Sequence, residues 1–217
     1  PVCVAQFGDN KIDVWGPLQS PHGARSDIAE AYKVPIQNVT VNVTLLGGGF
    51  GRKSKCDFAL EAVEISKKSA GVPIMVVWRR DDDIRHAFYH TTSVEHLEAA
   101  IDDKGKVTGW RHRTVAPSIL STFAPDSGYQ FFIEHGMGFV DMPFDIANIS
   151  CENGQAMAHT RIGWFRSVSN IPRAFAVQSM VAEIAHATKR DQKDMLLELI
   201  GSPRIVTGSQ PMSSTLR

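Results

Sequence analysis

The sequence predicts an α+β fold: a mixed-sheet β-β-α-β-α-β unit over residues 1–79, then a second region built from a hairpin and helices. Three observations lead there. Residues 2–15 alternate around the turn-forming triplet Gly8, Asp9, Asn10, which is a hairpin pattern. The apolar period then changes between helical and strand values along residues 22–78. A second alternating pair flanks Asp102, Asp103, Lys104 and Gly105, a good turn tip.

Taken in order, Val2–Phe7 and Lys11–Trp15 are the arms of the first hairpin. Gly16 to Pro21 is a loop of chain breakers. His22–Lys33 carries Ala24, Ile28, Ala31 and Tyr32 at helical spacing, and Pro35 stops it. Val39–Leu46 reads as a strand with Val39, Val41, Val43 and Leu45 on one face. After a glycine loop, Asp57–Ala70 is an amphipathic helix, with Gly71 at its C-cap and Pro73 blocking continuation. Ile74–Trp78 is continuously apolar, the pattern of a strand buried on both faces. Arg79 to Asp83 is a charge run, either a solvated face or an interdomain element.

Thr91–Ile101 and Lys106–Ala116 form the second hairpin, and residues 117–143 show no period. Phe144–Ser150 is a weak strand. Pro172–Thr188 and Asp191–Ile200 are helices, the latter capped by Asp191 and closed by Gly201. The division expected is 1–79, 80–201 and a loosely structured tail at 202–217.

Composition narrows the function. Basic and acidic residues balance at 23 each, which argues against nucleic acid as the main partner. No apolar run is long enough to span a membrane. The chain starts at Pro1 rather than Met and reads as an excised fragment, so missing signals leave localisation open. Cys3, Cys56 and Cys151 are widely spaced, too few for an iron–sulfur cluster and odd in number for a disulfide framework.

The most informative stretch is Gly47-Gly48-Gly49-Phe50-Gly51-Arg52-Lys53. So glycine-rich a backbone bends sharply and brings its N–H groups close to a ligand. Set before a helix, it is an anion cradle or simply a tight strand-to-helix turn. Neither nucleotide motif fits. Counting from Gly47, the sixth residue is Arg52, not the glycine of a dinucleotide fingerprint, and Arg52 between Gly51 and Lys53 breaks the P-loop register. His86 and His90 are spaced for one helical face but lack the glutamate of a zinc protease motif. Glu61 and Glu183 sit within helices and are read as buried structural carboxylates. Gly163-Trp164-Phe165-Arg166-Ser167-Val168 precedes a helix, where Arg166 forks onto an oxyanion or stacks on Trp164.

Together these segments, with Gly16-Pro17-Leu18-Gln19-Ser20-Pro21, Trp78-Arg79-Arg80-Asp81-Asp82, Ala174-Phe175 and Glu183-Ile184-Ala185-His186-Ala187, resemble a known family. It is the molybdenum-binding large subunit of the xanthine dehydrogenase and aldehyde oxidase family. The nearest branch is that of the isoquinoline 1-oxidoreductase beta subunit and its aldehyde dehydrogenase relatives. The resemblance covers most of residues 1–201. It implies a molybdopterin cofactor, in its cytosine dinucleotide form, carrying molybdenum. It also implies hydroxylation of an N-heterocycle or aldehyde with oxygen from water, and a small iron–sulfur partner subunit.

Residue by residue, the resemblance puts Gln19, Gly49, Phe50, Gly51 and Arg166 against the cofactor, and Phe50, Ser54 and Val168 in the substrate pocket. Ser54 departs from purine-oxidising members, which carry glutamate there, so a neutral heteroaromatic or an aldehyde fits better. The family's general base, a glutamate in a late Gly–Glu motif, has no counterpart in these 217 residues. No catalytic residue is therefore assigned, and the fragment is expected to be inactive and without bound cofactor. A non-catalytic module of the same fold and an unrelated phosphate-binding domain remain as alternatives.

Overall fold

The β1–β2 hairpin, Val2–Gly8 and Lys11–Gly16, turns through Asp9 and Asn10 at φ 49° and 58°. Such a tight turn needs positive φ at both central positions, which Asp and Asn tolerate. This computed structural model describes residues 1–124, 126–207 and 213–215. They divide into two compact units. The first is Pro1–Phe88 with Gly163–Arg166; the second is Tyr89–Ile162 with the described residues from Ser167 onward.

In the first unit, α1 (Pro21–Tyr32) crosses from β2 to β3 (Val39–Val43), which runs parallel to β2. Helix α2 (Asp57–Lys68) then leads to β4 (Ile74–Val77), antiparallel to β1. The sheet order is β3-β2-β1-β4. Cys3, Ala5, Ile12, Val14 and Val39 point into a core with Ile28 of α1 and Phe58, Ala59, Ala62 and Val63 of α2. Each large apolar side chain so buried contributes about 1.5–3 kcal/mol. Buried Ser66 stitches α2 to the sheet, accepting from the Phe7 N–H at 3.0 Å and donating to the Val72 carbonyl at 2.8 Å. Gly71 closes α2 at φ +80°, where an added Cβ would lie 2.5 Å from the Phe7 carbonyl oxygen.

Two strand expectations need correction. β3 ends at Val43, and Leu45 is wholly exposed. The Thr44 N–H still reaches the Gly16 carbonyl, after which the chain leaves the sheet. β4 is not buried on both faces: Met75 and Val77 are 64% and 58% exposed. It is an edge strand of a sheet covered by helices on one face, so alternate apolar residues stay uncovered despite the continuous run. The charge run at 79–83 opens a short helix, α3 (Arg80–His86), with Arg80 paired to Asp83.

In the second unit, β5 (Val94–Ile101) and β6 (Val107–Val115) form the expected hairpin. β7 (Asn148–Gly154) runs parallel to β6 and begins later than the pattern indicated. Phe144 instead turns its ring edge-on to Trp110, 5.5 Å between centroids. Before it, aperiodic residues 117–143 include a helical turn, α4 (Phe132–His135). Helices α5 (Asn170–Ala187) and α6 (Gln192–Ile200) complete the core with Val177, Val181, Ile184, Met195 and Leu199. Asp191 caps α6, its Oδ1 accepting from the Lys193 and Asp194 amides. Ile205–Thr207 (β8) and Ser213–Thr215 (β9) pair antiparallel; the rest of the expected loose tail, 208–212 and 216–217, lies outside the described residues.

Glu61 and Glu183 are exposed, contrary to the expectation of buried carboxylates. The buried one is Glu134, in the aperiodic stretch. It accepts from Ser118 Oγ at 2.5 Å and from the amides of Ile119 and Phe131. Beside it, wholly buried Arg173 donates to Gln130 Oε1 and to the carbonyls of Glu134 and Met137.

Candidate functional site

The glycine loop carries the sheet edge to α2. With no Cβ, Gly47 and Gly51 take φ +66° and +88° without strain, but Phe50 also sits at φ +51°. A bulky L-residue there stores backbone energy of order 1–2 kcal/mol. The residue is 59% exposed and outside the core, and its ring lies over Gly48, where an added Cβ would fall 2.6 Å from Phe50 Cε2.

Two segments brace the loop. On one side is the turn after β2, where the Gln19 N–H donates to the Lys53 carbonyl at 2.9 Å. The Gln19 side chain folds over the loop, its Oε1 accepting from the Gly51 N–H at 2.9 Å. A Cβ on Gly49 would fall 2.2 Å from that oxygen. Because a backbone N–H must face an acceptor, the amide oxygen is the atom turned to Gly51, which leaves the Gln19 NH2 group as a donor.

On the other side lies Gly163–Arg166. The Arg166 N–H donates to the Phe50 carbonyl at 3.0 Å. A Cβ on Gly51 would lie 2.1 Å from the Trp164 carbonyl oxygen. Glycine here is required by backbone meeting backbone. Arg166 thus enters through its main chain, while the side chain is exposed. Among the described residues, the N–H groups of Gly47, Gly48, Gly49 and Phe50 have no acceptor, so the loop presents a run of free donors.

Gln19, Gly49, Phe50, Gly51 and Arg166 therefore meet in one place within the first unit. Ser54 stands three residues past Gly51, its N–H donating to the Gly51 carbonyl at 3.0 Å. Val168 belongs to the second unit, where it is buried with Ile119 and Ile162 at φ 46°. His90 is bound to its own surroundings, the carbonyls of Thr91 and Val168. Among the described residues no group of three His, Cys, Asp or Glu could hold a metal.

The cysteines fit that picture. Burial pushes the Cys3 and Cys56 thiols up to about 12, and neighbouring Asp27 adds to the shift at Cys56. Burial also raises Cys151. All are protonated at neutral pH and unsuited to metal ligation.

Arg52 is anchored within the first unit. Its guanidinium forks onto Asp57 at 2.9 and 2.8 Å. The signal for it was an acid at the start of a helix, five residues after a loop arginine.

The geometry suits a bound group held by acceptor atoms. The Gln19 amide and the unpaired loop amides are donors, and the glycines allow close approach of an oxyanion-bearing group. Residues 1–197 match the family model described as the molybdopterin cofactor-binding domain. Over 86% of its length the chain is 29% identical to a protein named membrane-bound aldehyde dehydrogenase [pyrroloquinoline-quinone] from Gluconacetobacter polyoxogenes, spanning 25% of that protein. It is 25% identical to isoquinoline 1-oxidoreductase subunit beta of Brevundimonas diminuta, covering 93% of this chain and 26% of that one. Among solved structures, the aldehyde oxidoreductase of Desulfovibrio gigas superposes over 99% of this chain and 22% of its own, with TM-score 0.75 and 15% identity. The chain thus spans about a quarter of the length of these relatives.

Proposed function

The chain belongs to the molybdopterin cofactor-binding domain family, and from that premise we propose that it forms part of the cofactor cradle of a molybdenum hydroxylase large subunit. The observation that carries this reading is the convergence of Gln19, Gly49–Gly51 and the Arg166 backbone, with the loop amides left without an acceptor among the described residues. When bound, the molybdopterin supplies the two-electron redox centre at which a substrate carbon is hydroxylated with oxygen from water.

The residues' roles follow from their chemistry. The Gln19 NH2 donates to an acceptor ligand, and the amides of Gly49 and Phe50 add backbone donors. The Phe50 ring walls the approach and excludes water. Arg166 holds the loop through its N–H and leaves its guanidinium for anionic oxygens of the cofactor. Ser54, in the same unit as the loop, lines the substrate side of the cradle. A small hydroxyl-bearing residue at 54 suits a neutral N-heterocycle or an aldehyde better than a purine. The relative named as a subunit beta supports a multi-chain enzyme, for which we propose a small iron–sulfur partner. Turnover and cofactor retention are proposed for the longer subunit, since these 217 residues offer no counterpart of the general-base motif.

The test is to purify the longer subunit with its partner and measure molybdenum, pterin and the nucleotide released on acid hydrolysis. Pyrroloquinoline quinone is measured in parallel. Aldehydes and N-heterocycles are then offered in 18O-water. Bound molybdenum, released cytidine monophosphate and labelled product support the proposal. Protein without molybdenum, when a related control is loaded, points to a non-catalytic module; bound quinone in its place overturns the cofactor assignment.

A further inference from the structure

We propose that Arg52 is a positioning residue that clamps both walls of the cradle, so that it governs cofactor retention without touching the cofactor. The part concerning retention rests on the functional reading above; the clamp itself does not.

Arg52 follows Gly51 directly and starts the helical turn Arg52–Ser54. Its side chain is only 12% exposed. Both terminal nitrogens bond Asp57, the first residue of α2, in a two-pronged pair. Its guanidinium carbon also lies 5.6 Å from the Trp78 ring centroid and 5.3 Å from that of Phe88. Each ring has a structural attachment. Trp78 Nε1 donates to Glu61 Oε2 at 2.6 Å, fixing the indole to α2. Phe88 lies against Gly163, where a Cβ would fall 2.4 Å from Phe88 Cβ.

Gly163 begins the segment whose Trp164 carbonyl crowds Gly51 and whose Arg166 amide bonds Phe50. One guanidinium therefore joins the loop, the start of α2, the end of β4 and the segment opposite. The charge pair sets its direction, and the flanking rings limit its freedom. Lysine could keep the charge but has neither the planar fork nor the flat faces. This explains in physical terms why an arginine follows Gly51 when a phosphate-gripping role would leave it unpaired and pointing at a ligand.

The experiment uses the longer subunit with its partner, as wild type, R52K, R52Q and D57N. Hydrogen exchange is read at the Gly51 and Arg166 amides, with β1–β2 amides as internal control, alongside molybdenum and pterin content. The variants are expected to exchange Gly51 and Arg166 about ten-fold faster or more, with β1–β2 unchanged. Molybdenum per subunit should fall in parallel, R52K behaving like R52Q. Unaltered exchange at both amides, or R52K indistinguishable from wild type, overturns the clamp. Faster exchange with full molybdenum occupancy overturns its role in retention. Should R52Q fail to fold, D57N still breaks the fork and decides the matter. A wild-type subunit without molybdenum would sink the functional reading alone, because the exchange measurement still judges the clamp.

Discussion

Replacing Gly51 with alanine puts the braced loop to a quantitative test. At φ +88°, alanine incurs about 1 kcal/mol of backbone strain. The larger effect is steric. The new Cβ would stand 2.1 Å from the Trp164 carbonyl oxygen and 2.6 Å from its carbon, both backbone atoms that cannot rotate away. Reaching van der Waals separation requires the two strands of chain to part by about 1 Å or more. That movement breaks the Gly51 N–H bond to Gln19 and the Arg166 N–H bond to Phe50. Each is worth about 0.5–1.5 kcal/mol. The sum is about 2–4 kcal/mol. Gly47 is the matched control: it too has positive φ, +66°, but nothing lies within 4 Å of its added Cβ. Gly47→Ala should cost only the strain, about 1 kcal/mol. Urea unfolding of the two variants and the wild type, compared at a shared slope, reads the difference directly. If the two variants fall within about 0.5 kcal/mol of one another, the proposed backbone contact is not there.

Other sites give independent tests. Burial alone would raise the Glu95 carboxyl, but hydrogen bonds from His112 at 2.7 Å and Thr114 at 3.0 Å outweigh it and hold the group below its ordinary value. A lowered folded value means stabilisation present above the unfolded value of about 4.3 and lost as pH falls through the folded one. The stability gap between wild type and Glu95→Gln should be wide at about pH 7 and narrow by about pH 3, measured by denaturant titration. Arg173→Ala leaves Gln130 and the carbonyls of buried Glu134 and half-buried Met137 without their donor and should cost about 3–5 kcal/mol, whereas a loss under about 1 kcal/mol would contradict the burial. Cys3 and Cys56, with thiols near 12, should resist a soluble maleimide at neutral pH and label fully in denaturant; rapid native labelling would refute their placement.

Local chemistry made part of this architecture legible. The Asp9–Asn10 turn, the Asp191 cap and Gly201 stop, and the apolar stripe of α5 are all set by residues near one another in sequence. What escaped depends on neighbours brought in by the fold. Ile74–Val77 reads as a central strand, yet only the sheet order reveals it as an edge. Glu134 lies in a stretch without period, and its acceptor role needs Ser118 and Ile119 folded around it. The site divides in the same way. The glycines announce close backbone approach, but not what approaches: Gln19 and Trp164 lie far off in sequence. Arg166 drew attention for its guanidinium, whereas its amide makes the contact with the loop.

The central claim is that the loop at Gly49–Gly51, braced by Gln19 and Arg166, holds a molybdopterin. The direct measurement is molybdenum per subunit in the longer protein, purified with its partner as wild type, Gly47→Ala and Gly51→Ala. Wild type and Gly47→Ala should carry molybdenum near one per subunit, and Gly51→Ala, folded but with its walls parted, should have lost most of it. Equal occupancy in Gly51→Ala and wild type would contradict the account.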